Sequence, residues 1–449
     1  MGVTFIHAAD LHLGSPLRAI AGASEEKREQ LAHATQESFR RIIQTAIDRD
    51  VDFLTVAGDL YDREARSVRS NEFLVKQFER LEDDDIPAYV VHGNHDPLGS
   101  GAEKLAFPDN VHVFGADDVG TVYYPSKGDP EARLLGQSYG SRHVSNKLYY
   151  SYTPTDTAMP NIGLLHTGLN PDGNKYAPCS PNDLASKDID YWALGHIHTP
   201  EHIRGANAAY AGIPQGRHSE ELGVGGCLLV EADIDEQPKI EFVPTSPIVW
   251  RHETVDVTEL GDGVQNLTDL EQALEDYTLA RTDADVEDLV THDFPIADTD
   301  WEPEGHIVRW TLTGRSDVHE ALDDGNEGEA TTVLTERLRE RLGDLTPFVW
   351  TETVRDRVSP ALPDRNTLAE QDEVIAELIT LTEDRRNDPE AREELRGSGG
   401  DLWEWVDDQD REDTPPDRLP LDDDRLDDLI DTALQTAIDE LALRRYNVD

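Results

Sequence analysis

The sequence predicts an α/β fold, a mixed β-sheet sandwich flanked by helices, followed by a small α+β domain and a helical C-terminal segment. Three observations support this prediction. Strand and helix patterns alternate along the first hundred residues, strand patterns crowd together between residues 111 and 245, and the composition after residue 363 changes to acidic helix. The 449 residues are enough for two or three domains with a sizeable core.

The first hundred residues contain three predicted strands and two predicted helices in alternation. The stretches "VTFIHAAD", "VDFLTVAGDLYD" and "IPAYVVHGNHD" are apolar, β-favouring runs that end in polar residues. Helices are predicted from Glu25 to Arg49 and near Asn71 to Leu81. The first has an apolar stripe at helical spacing, formed by Phe39, Ile42, Ile43, Ala46 and Ile47. This order is typical of a largely parallel sheet with right-handed crossovers.

Two changes of composition divide the rest of the chain. Seven short strand patterns, from "VHVFG" to "KIEFVPT", complete a first domain predicted at residues 1–249. Residues 250–362 predict a small α+β capping domain. Residues 363–449 predict an acidic helical segment with "RGSGGD" and "REDTPPDRLP" as linkers. Its two apolar stripes are Leu368, Ile375, Leu378, Ile379 and Leu381, and then Leu426, Ile430, Ala433, Ala437 and Leu441.

The charge balance is strongly acidic along the whole chain. Asp and Glu number 93 against 40 Lys and Arg, which gives a formal net charge of -53. A uniformly acidic surface indicates adaptation to a halophile's salt-rich cytoplasm, where repulsion is screened within about 3 Å at roughly 1 M ionic strength. The alternative is an ordinary acidic protein with disordered parts. Cys179 and Cys227 alone make no disulfide framework or thiolate metal motif.

No apolar run reaches the length of a transmembrane span, and the first residues enter a strand pattern rather than a signal peptide. We therefore expect a soluble, cytoplasmic protein without membrane association.

Polar side chains follow five of the predicted strands. In open α/β sheets the carboxyl ends of the strands form the crevice where ligands bind, so these clusters should converge although they are far apart in sequence. They occur in the motifs "AADLH", "AGDLYD", "HGNHD", "LLHTG" and "LGHIH", which contain Asp10, His12, Asp59, Asp62, Asn94, His95, Asp96, His166, His196 and His198.

These residue types suit two divalent cations. Imidazole and carboxylate ligands together favour manganese, iron or zinc, whereas an all-oxygen site would favour magnesium or calcium. A carboxylate can bridge two ions and a neutral imidazole cannot, so Asp59 is the natural bridge. Asn94 adds a neutral oxygen, which limits the negative charge around a phosphate substrate.

Each motif taken alone also has a purely structural explanation. "GNHD" could be a turn, and His166 could be a hydrogen-bonded core histidine. His196 and His198 should project to the same side of an extended strand because side chains alternate with period two. A core accommodates two such imidazoles with difficulty, whereas a metal site uses both. The five motifs together therefore favour the metal site.

The ordered set DLH, GDLYD, GNHD, HTG and GHIH resembles the calcineurin-like metallophosphoesterase superfamily. Within it, "HAADLHLGSPLRAI", "GDLYDRE", "VVHGNHDP", "YAPCSPNDLASKDIDYWALGHIHTP" and "IPQGRH" resemble the DNA repair exonucleases. These are SbcD and the meiotic-recombination-eleven nucleases, and especially the YhaO-like group. The resemblance is strong over residues 1 to about 250. Some archaeal nucleases of the family have histidine where this chain has Asp62.

The resemblance implies a ligand set. One metal would be held by Asp10, His12, Asp59 and His198, and the second by Asp59, Asn94, His166 and His196. His95 would be the catalytic, phosphate-facing acid, oriented by Asp96. Arg217 and His218, in "IPQGRH", could contact substrate phosphate or form a structural turn, and the sequence leaves both open.

The resemblance also implies an activity and partners. It implies a two-metal, most simply Mn²⁺-dependent, 3′–5′ DNA exonuclease with some endonuclease action in double-strand-break repair. The expected partners are DNA, an SbcC/Rad-like coiled-coil ATPase and a second copy in a homodimer. The helices near 367–384 and 424–443 could dock on the ATPase or pack on their own domain. No run of Lys and Arg forms a basic stripe for DNA.

Two other classes of function stay open at this point. The same metal site could serve a metallophosphatase or a cyclic-nucleotide phosphodiesterase, because this fold does not fix its substrate. A non-catalytic scaffold could also keep the fold, although such a protein would be expected to lose metal ligands that this chain retains.

Overall fold

The computed structural model describes the chain except residues 1, 18–22, 63–66, 100–105, 155–157, 171–174, 235, 262, 282–285, 324–327, 362–364, 399–422 and 447–449. The strands are β1 Val3–Ala8, β2 Phe53–Ala57, β3 Ala88–Val91, β4 Val111–Val113, β5 Gly120–Tyr124, β6 Ala132–Gly136, β7 Asn161–His166, β8 Tyr191–Gly195, β9 Glu201–Ile203, β10 Ala208–Tyr210, β11 Gly226–Ala232, β12 Lys239–Pro244, β13 Ile248–Asp256, β14 Gly305–Thr313 and β15 Phe348–Asp356. The α-helices are α1 Glu25–Ala32, α2 Ala34–Asp48, α3 Val68–Asp83, α4 Pro181–Ala185, α5 Leu267–Leu279, α6 Val286–Leu289, α7 Val318–Leu322, α8 Glu329–Leu342, α9 Arg365–Gln371, α10 Glu373–Asn387, α11 Pro389–Ser398 and α12 Asp423–Tyr446.

Two six-stranded sheets are built from strands between Val3 and Pro244, a little over half of the chain. The first has the order β12-β11-β1-β2-β3-β4, with β1 to β4 parallel and β11 antiparallel to β1. The second has the order β5-β6-β7-β8-β10-β9, with β6, β7, β8 and β10 parallel. Antiparallel strands form three of the four sheet edges, at β12, β5 and β9, whereas β4 at the other edge of the first sheet is parallel to β3.

The two sheets pack face to face on an apolar core. Phe5 stacks on Phe53 within the first sheet at 4.7 Å, and its ring meets Tyr191 of the second sheet at 5.6 Å. Helices α2 and α3 cover the other face of the first sheet, where Phe39 and Phe78 are fully buried. The predicted mixed α/β fold, with sheets flanked by helices, is confirmed.

Several predicted elements differ in detail. The helix predicted from Glu25 to Arg49 is two helices, because His33 interrupts the chain between α1 and α2. The second predicted helix is longer than expected: Ser67 caps α3 by accepting a hydrogen bond from the Ser70 backbone. Strands β5, β9 and β15 have no counterpart among the predicted strands. The first two are edge strands with exposed positions, which weakens the apolar signal in the sequence.

The described chain forms two compact units. One comprises Met1–Glu253, Thr278–Arg309 and Thr335–Thr353, and the other comprises Thr254–Tyr277, Trp310–Leu334 and Val354–Asp449. A separate three-stranded sheet has the order β13-β14-β15. Among the described residues, no helix combines the length and the hydropathy needed to cross a membrane.

The C-terminal helices pack on one another. Leu368 of α9 and Ile375 of α10 are buried with Leu434 and Ile438 of α12. The stripe predicted for the last helix is therefore partly wrong, since Ala433 is exposed and the buried face includes Leu434 and Ile438 instead. Both predicted linkers extend into residues 399–422, which lie outside the described part of the chain.

His7, in the middle of β1, generates a prediction about stability. It is fully buried, with Nδ1 2.9 Å from the Tyr191 hydroxyl and Nε2 3.1 Å from the Leu194 carbonyl oxygen. Burial lowers the pKa of His7 to about 3, although the Leu194 carbonyl opposes the shift. The folded state therefore favours neutral His7, so its contribution to stability is complete above pH ~6.5 and is lost as the pH falls.

We expect the unfolding free energy of the wild type to fall relative to that of His7→Phe between pH ~6.5 and ~4, by up to about 1.4 kcal/mol per pH unit. Chemical denaturation across this range measures the difference. His33→Gln is the control because His33 is exposed. An identical pH dependence in wild type and His7→Phe would contradict the prediction.

Candidate metal centre

The ends of five strands bring the predicted ligands to one place. β1, β2 and β3 are parallel neighbours in one sheet, and β7 and β8 are parallel neighbours in the facing sheet. The polar residues at their carboxyl ends therefore meet in one crevice. The buried members are Asp10, His12, Asp59, Asn94, His166 and His196, while His198 is half-buried.

The first ligand group consists of Asp10, His12 and His198. One ligand atom from each lies within 4.8 Å of the others, and the Nε2 atoms of His12 and His198 are 3.3 Å apart. Burial lowers the pKa of His12, and the nearby Arg217 charge adds to this effect. A neutral His12 is the form that binds a metal ion.

The second group surrounds the Asn94 amide oxygen. His166 Nε2 lies 2.8 Å and His196 Nδ1 3.0 Å from this oxygen. Asp10, Asp59 and His166 also place ligand atoms within 4.8 Å of one another. Burial disfavours a charged His166, but the Asp59 carboxylate outweighs burial and raises its pKa to about 10. Burial would likewise raise the pKa of Asp59, yet His166 holds it below its usual range.

The backbone at these strand ends adopts conformations that L-residues rarely occupy. The φ angles are 50° at Asp10, 42° at His12, 52° at Asp59 and 106° at His196. Each residue in such a conformation lowers the stability of the folded state by on the order of 1–3 kcal/mol. Hydrogen bonds hold two of them, since Asp10 N donates to Gly58 O and His12 N donates to Asp59 O, both at 3.0 Å.

Two glycines in the motifs allow the strand ends to come this close. A Cβ on Gly58, where φ is 102°, would lie 2.3 Å from Nδ1 of His166. A Cβ on Gly93 would lie 2.2 Å from the Asp59 carboxylate. The glycines of "GDLYD" and "GNHD" are therefore required by the packing of the ligands themselves.

His196 and His198 do not project from a strand as predicted. β8 ends at Gly195, and the backbone turns at His196. His196 consequently points to Asn94, whereas His198 points to His12. The expectation that both share one side of an extended strand is wrong, and the turn is what directs them to different ligand groups.

Asp62 occupies a position that the sequence analysis gave to Asp96. Its Oδ1 lies 2.8 Å from Nδ1 of both His12 and His95. Asp96 instead accepts hydrogen bonds from Leu60 N and Gly93 N. The prediction that Asp96 orients His95 is wrong, because its carboxylate is used to fix the two loops. Burial would lower the pKa of His95, but the hydrogen bond to Asp62 raises it.

Glu221 is a further site residue that the sequence analysis missed. Its Oε1 lies 2.7 Å from His198 Nδ1 and 3.0 Å from Arg217 Nη2. Arg217 also donates from Nη1 to Asp62 at 2.8 Å, and His218 Nε2 lies 3.3 Å from Glu221. Arg217 thus joins the two carboxylates that hold His12 and His198. The only sequence signal was an acidic residue four positions after Arg217.

Comparisons with known proteins agree with this geometry. The sequence pattern of the calcineurin-like phosphoesterase family matches residues 3–200. The chain is 37% identical over 278 residues to an uncharacterized metallophosphoesterase, YhaO, of Bacillus subtilis, covering 61% of this chain and 67% of YhaO. The chain belongs to the calcineurin-like phosphoesterase family. Family membership makes it a metal-dependent hydrolase.

The comparisons also found a repair protein and a solved structure with weaker similarity to this chain. The DNA double-strand break repair protein Mre11 of Methanopyrus kandleri is 24% identical over 281 residues, and the match covers 55% of this chain and 57% of that protein. A dimetal phosphatase structure from Danio rerio is 12% identical with a TM-score of 0.31, covering 53% of this chain and 98% of that one. The chain thus spans little more than half the length of this Mre11.

The donor set of this phosphoesterase fits divalent metal ions. Nδ1 of His12 and of His198 each face a carboxylate, which only accepts, so both Nδ1 atoms carry hydrogen. Their Nε2 atoms then present lone pairs to each other. His166 donates from Nδ1 to the Ala57 carbonyl at 2.9 Å, which in the neutral form leaves another lone pair facing Asn94. Converging lone pairs beside two buried carboxylates match a cation site.

Glu221 should therefore control one ligand group more than the other. We expect Glu221→Gln to weaken binding of one of two Mn²⁺ ions by about 10- to 100-fold, because His198 loses the carboxylate that fixes its ring. Isothermal titration with Mn²⁺ measures both affinities, and electron paramagnetic resonance reports the loss of a coupled ion pair.

Glu220→Gln is the matched control, since Glu220 is the exposed neighbour of Glu221. Equal weakening of both ions, or the same loss in the Glu220 variant, would show that Glu221 does not act through His198.

Proposed function

We propose that this phosphoesterase is a DNA exonuclease that hydrolyses phosphodiester bonds with two divalent metal ions. The observation that carries the proposal is the position of His95. It stands beside the first ligand group with its side chain 39% exposed, while the buried ligands lie behind it. A half-exposed imidazole beside a metal centre suits a substrate phosphate that enters from solvent.

The two ligand groups support the assignment that the resemblance implies, in which Asp59 is shared between the two ions. Asp10, His12, Asp59 and His198 would hold one, and Asp59, Asn94, His166 and His196 would hold the other. Bound divalent ions supply Lewis-acid polarisation of the phosphodiester and a nucleophile derived from water at neutral pH. Manganese fits the mixed imidazole, carboxylate and amide donors.

The remaining chemistry belongs to the protein's own side chains. His95 Nδ1 donates to Asp62, which directs Nε2 away from that carboxylate and allows it to contact the scissile phosphate or protonate the leaving oxygen. His95 N donates to Asp59 Oδ1 at 2.9 Å, so its backbone is fixed to a ligand. Its ring lies 4.9 Å from the ring of His12. These contacts fix the position of the His95 imidazole relative to the metal ligands.

The nuclease proposal draws further support from the relatives. Mre11 of Methanopyrus kandleri is described as a DNA double-strand break repair protein, and its matched region includes more than half of this chain. On this basis we propose a role in double-strand-break repair, and from the resemblance of the motifs we propose 3′–5′ polarity with some endonuclease action. Manganese-loaded protein should degrade linear DNA. Activity on small phosphate monoesters but not on DNA would favour a metallophosphatase instead.

His95 provides the most direct test of the mechanism. We expect His95→Gln to retain both metal ions and to lose about 10²- to 10⁴-fold in kcat on a DNA oligonucleotide, because glutamine can neither transfer the proton nor replace the imidazole at the phosphate. Metal content and kcat are measured on the same preparation. Full metal-dependent turnover in this variant would exclude the proposed role.

We further propose that the C-terminal helices bind a coiled-coil ATPase of the SbcC/Rad type. Helices α10 and α12 use one face to pack together, but they also present Leu381, 53% exposed, and Leu429, 44% exposed. Such residues can anchor a partner helix. The packing of α10 on α12 also satisfies the alternative, in which these helices serve only their own domain.

The double variant Leu381→Glu with Leu429→Glu should weaken binding to the ATPase by at least tenfold, because each charge opposes burial of an apolar contact. Thr380→Glu with Thr436→Glu is the matched control, since both threonines are exposed on the same helices. Analytical ultracentrifugation of the two-protein mixture measures the affinity. Equal binding by the two double variants would argue against docking through Leu381 and Leu429.

A further inference from the structure

A group of basic and aromatic side chains lies on one exposed path beside the metal centre. We call it the basic–aromatic strip and define it as Arg142, His143, Lys147, Tyr150, Lys175 and Tyr176. Arg142, His143 and Lys147 are exposed, and Tyr150 is 61% exposed. The mechanism described above uses none of these residues.

Four of the six strip residues, all but Lys175 and Tyr176, lie in the part of the chain that is poorest in acidic residues. About one residue in five of the whole chain is Asp or Glu, 93 of 449. Residues 132–171 contain a single one, Asp156, where the average would give about eight. Arg142 and Lys147 therefore have no acidic neighbour close to them along the chain, although in space the Asp183 carboxylate lies near enough to Lys147 to interact with its charge.

Ring contacts connect the strip to the ligands. Tyr176 lies 4.5 Å from the ring of His196, and His143 lies 6.0 Å from the ring of Tyr176. Val144 N donates to Lys175 O and Ala177 N donates to Val144 O, both at 2.7 Å. The two segments of the strip are thus joined at the edge of the second ligand group.

The same path passes the loop that carries His95. Leu98 N donates to Tyr139 O at 3.0 Å, so the start of the exposed segment is bonded to the chain just after that loop. The backbone that leads into the strip is therefore tied to the loop that follows His95.

The far end of the strip is a supported aromatic platform. Tyr150 stacks on Tyr149 with ring centroids 4.4 Å apart, and Tyr149 is anchored by its hydroxyl to Asp183 at 2.7 Å. Lys187 Nζ donates to Tyr150 O at 2.9 Å. Tyr150 N also donates to Lys147 O at 3.2 Å, which keeps the platform next to a cation. A ring fixed in this way loses little entropy on stacking with a base.

We propose that the basic–aromatic strip binds an unpaired nucleic acid strand that leads into the metal centre. Phosphates would follow Arg142, Lys147 and Lys175, and bases would stack on His143 and Tyr150. An unpaired strand fits better than a duplex because the faces of paired bases are not available for stacking. The inference rests on the proposed nuclease function and specifies the form of its substrate.

The test compares two pairs of charge reversals in the full-length, Mn²⁺-loaded protein. Arg142→Glu with Lys147→Glu changes the strip, and Lys76→Glu with Lys127→Glu makes the same change in net charge at exposed positions on α3 and on the β5–β6 connection. Affinity is measured by fluorescence anisotropy with a phosphorothioate oligothymidylate. Hydrolysis is measured with oligothymidylate and with bis(p-nitrophenyl) phosphate.

We expect the strip pair to raise the Kd for oligothymidylate at least tenfold and to flatten the slope of log Kd against log salt by about 0.7 for each phosphate that the variant no longer binds. For the strip pair, kcat/KM for oligothymidylate divided by kcat/KM for the small diester should also fall at least tenfold. Tyr150→Ala should weaken binding about fivefold or more while leaving the salt slope as it is. The control pair should stay within about twofold of wild type.

Equal losses in both pairs would overturn the proposal, because net charge would then explain them. Equal affinity for a duplex of the same length would also overturn it. Wild-type protein that binds oligothymidylate through the strip and hydrolyses only the small diester would refute the nuclease function and leave the strip standing. Oligothymidylate hydrolysis that the strip pair does not affect would refute the strip and leave the nuclease function standing.

Discussion

Two buried carboxylates, Asp10 and Asp59, set the conditions that the rest of the metal centre satisfies. They lie close enough to place ligand atoms within 4.8 Å of His166, with almost no access to water. Burial raises the pKa of Asp10, while His166 and other imidazoles favour the charged form. Such a pair is stable only where positive charge is supplied. The histidines, the strained backbone and the glycines all serve to bring that charge near.

Sequence reasoning predicted the fold and the meeting of the strand ends because both follow from local patterns. Alternating strands and helices fix which strand ends are neighbours, and polar residues at those ends identify the crevice. The contacts of the carboxylates behind the ligands could not be predicted in this way. Asp62 and Asp96 both belong to motifs at strand ends close to His95, and only the path of the loop decides that Asp62 faces it. Glu221 reaches His198 through tertiary packing alone.

The buried face of α12 was also mispredicted because it depends on tertiary packing. In α12 the sequence offers two overlapping apolar stripes, and packing against α10 selects Leu434 and Ile438 over Ala433 because larger side chains bury more surface. The basic–aromatic strip contains no run of Lys and Arg that would mark it in the sequence. In a chain this acidic, the informative signal is a stretch with few Asp and Glu residues. That stretch can be recognised as a candidate binding surface only once the fold places it beside the metal ligands.

One oxygen atom of Asp62 accepts from both His12 and His95, and Arg217 connects the same carboxylate to Glu221. These positions therefore form one epistatic unit. A histidine at position 62 would set an imidazole against the Arg217 guanidinium and offer at most one acceptor nitrogen to the two ring nitrogens that now share the carboxylate. Positions 62 and 217 should therefore change together during evolution, and single exchanges between relatives should be non-additive.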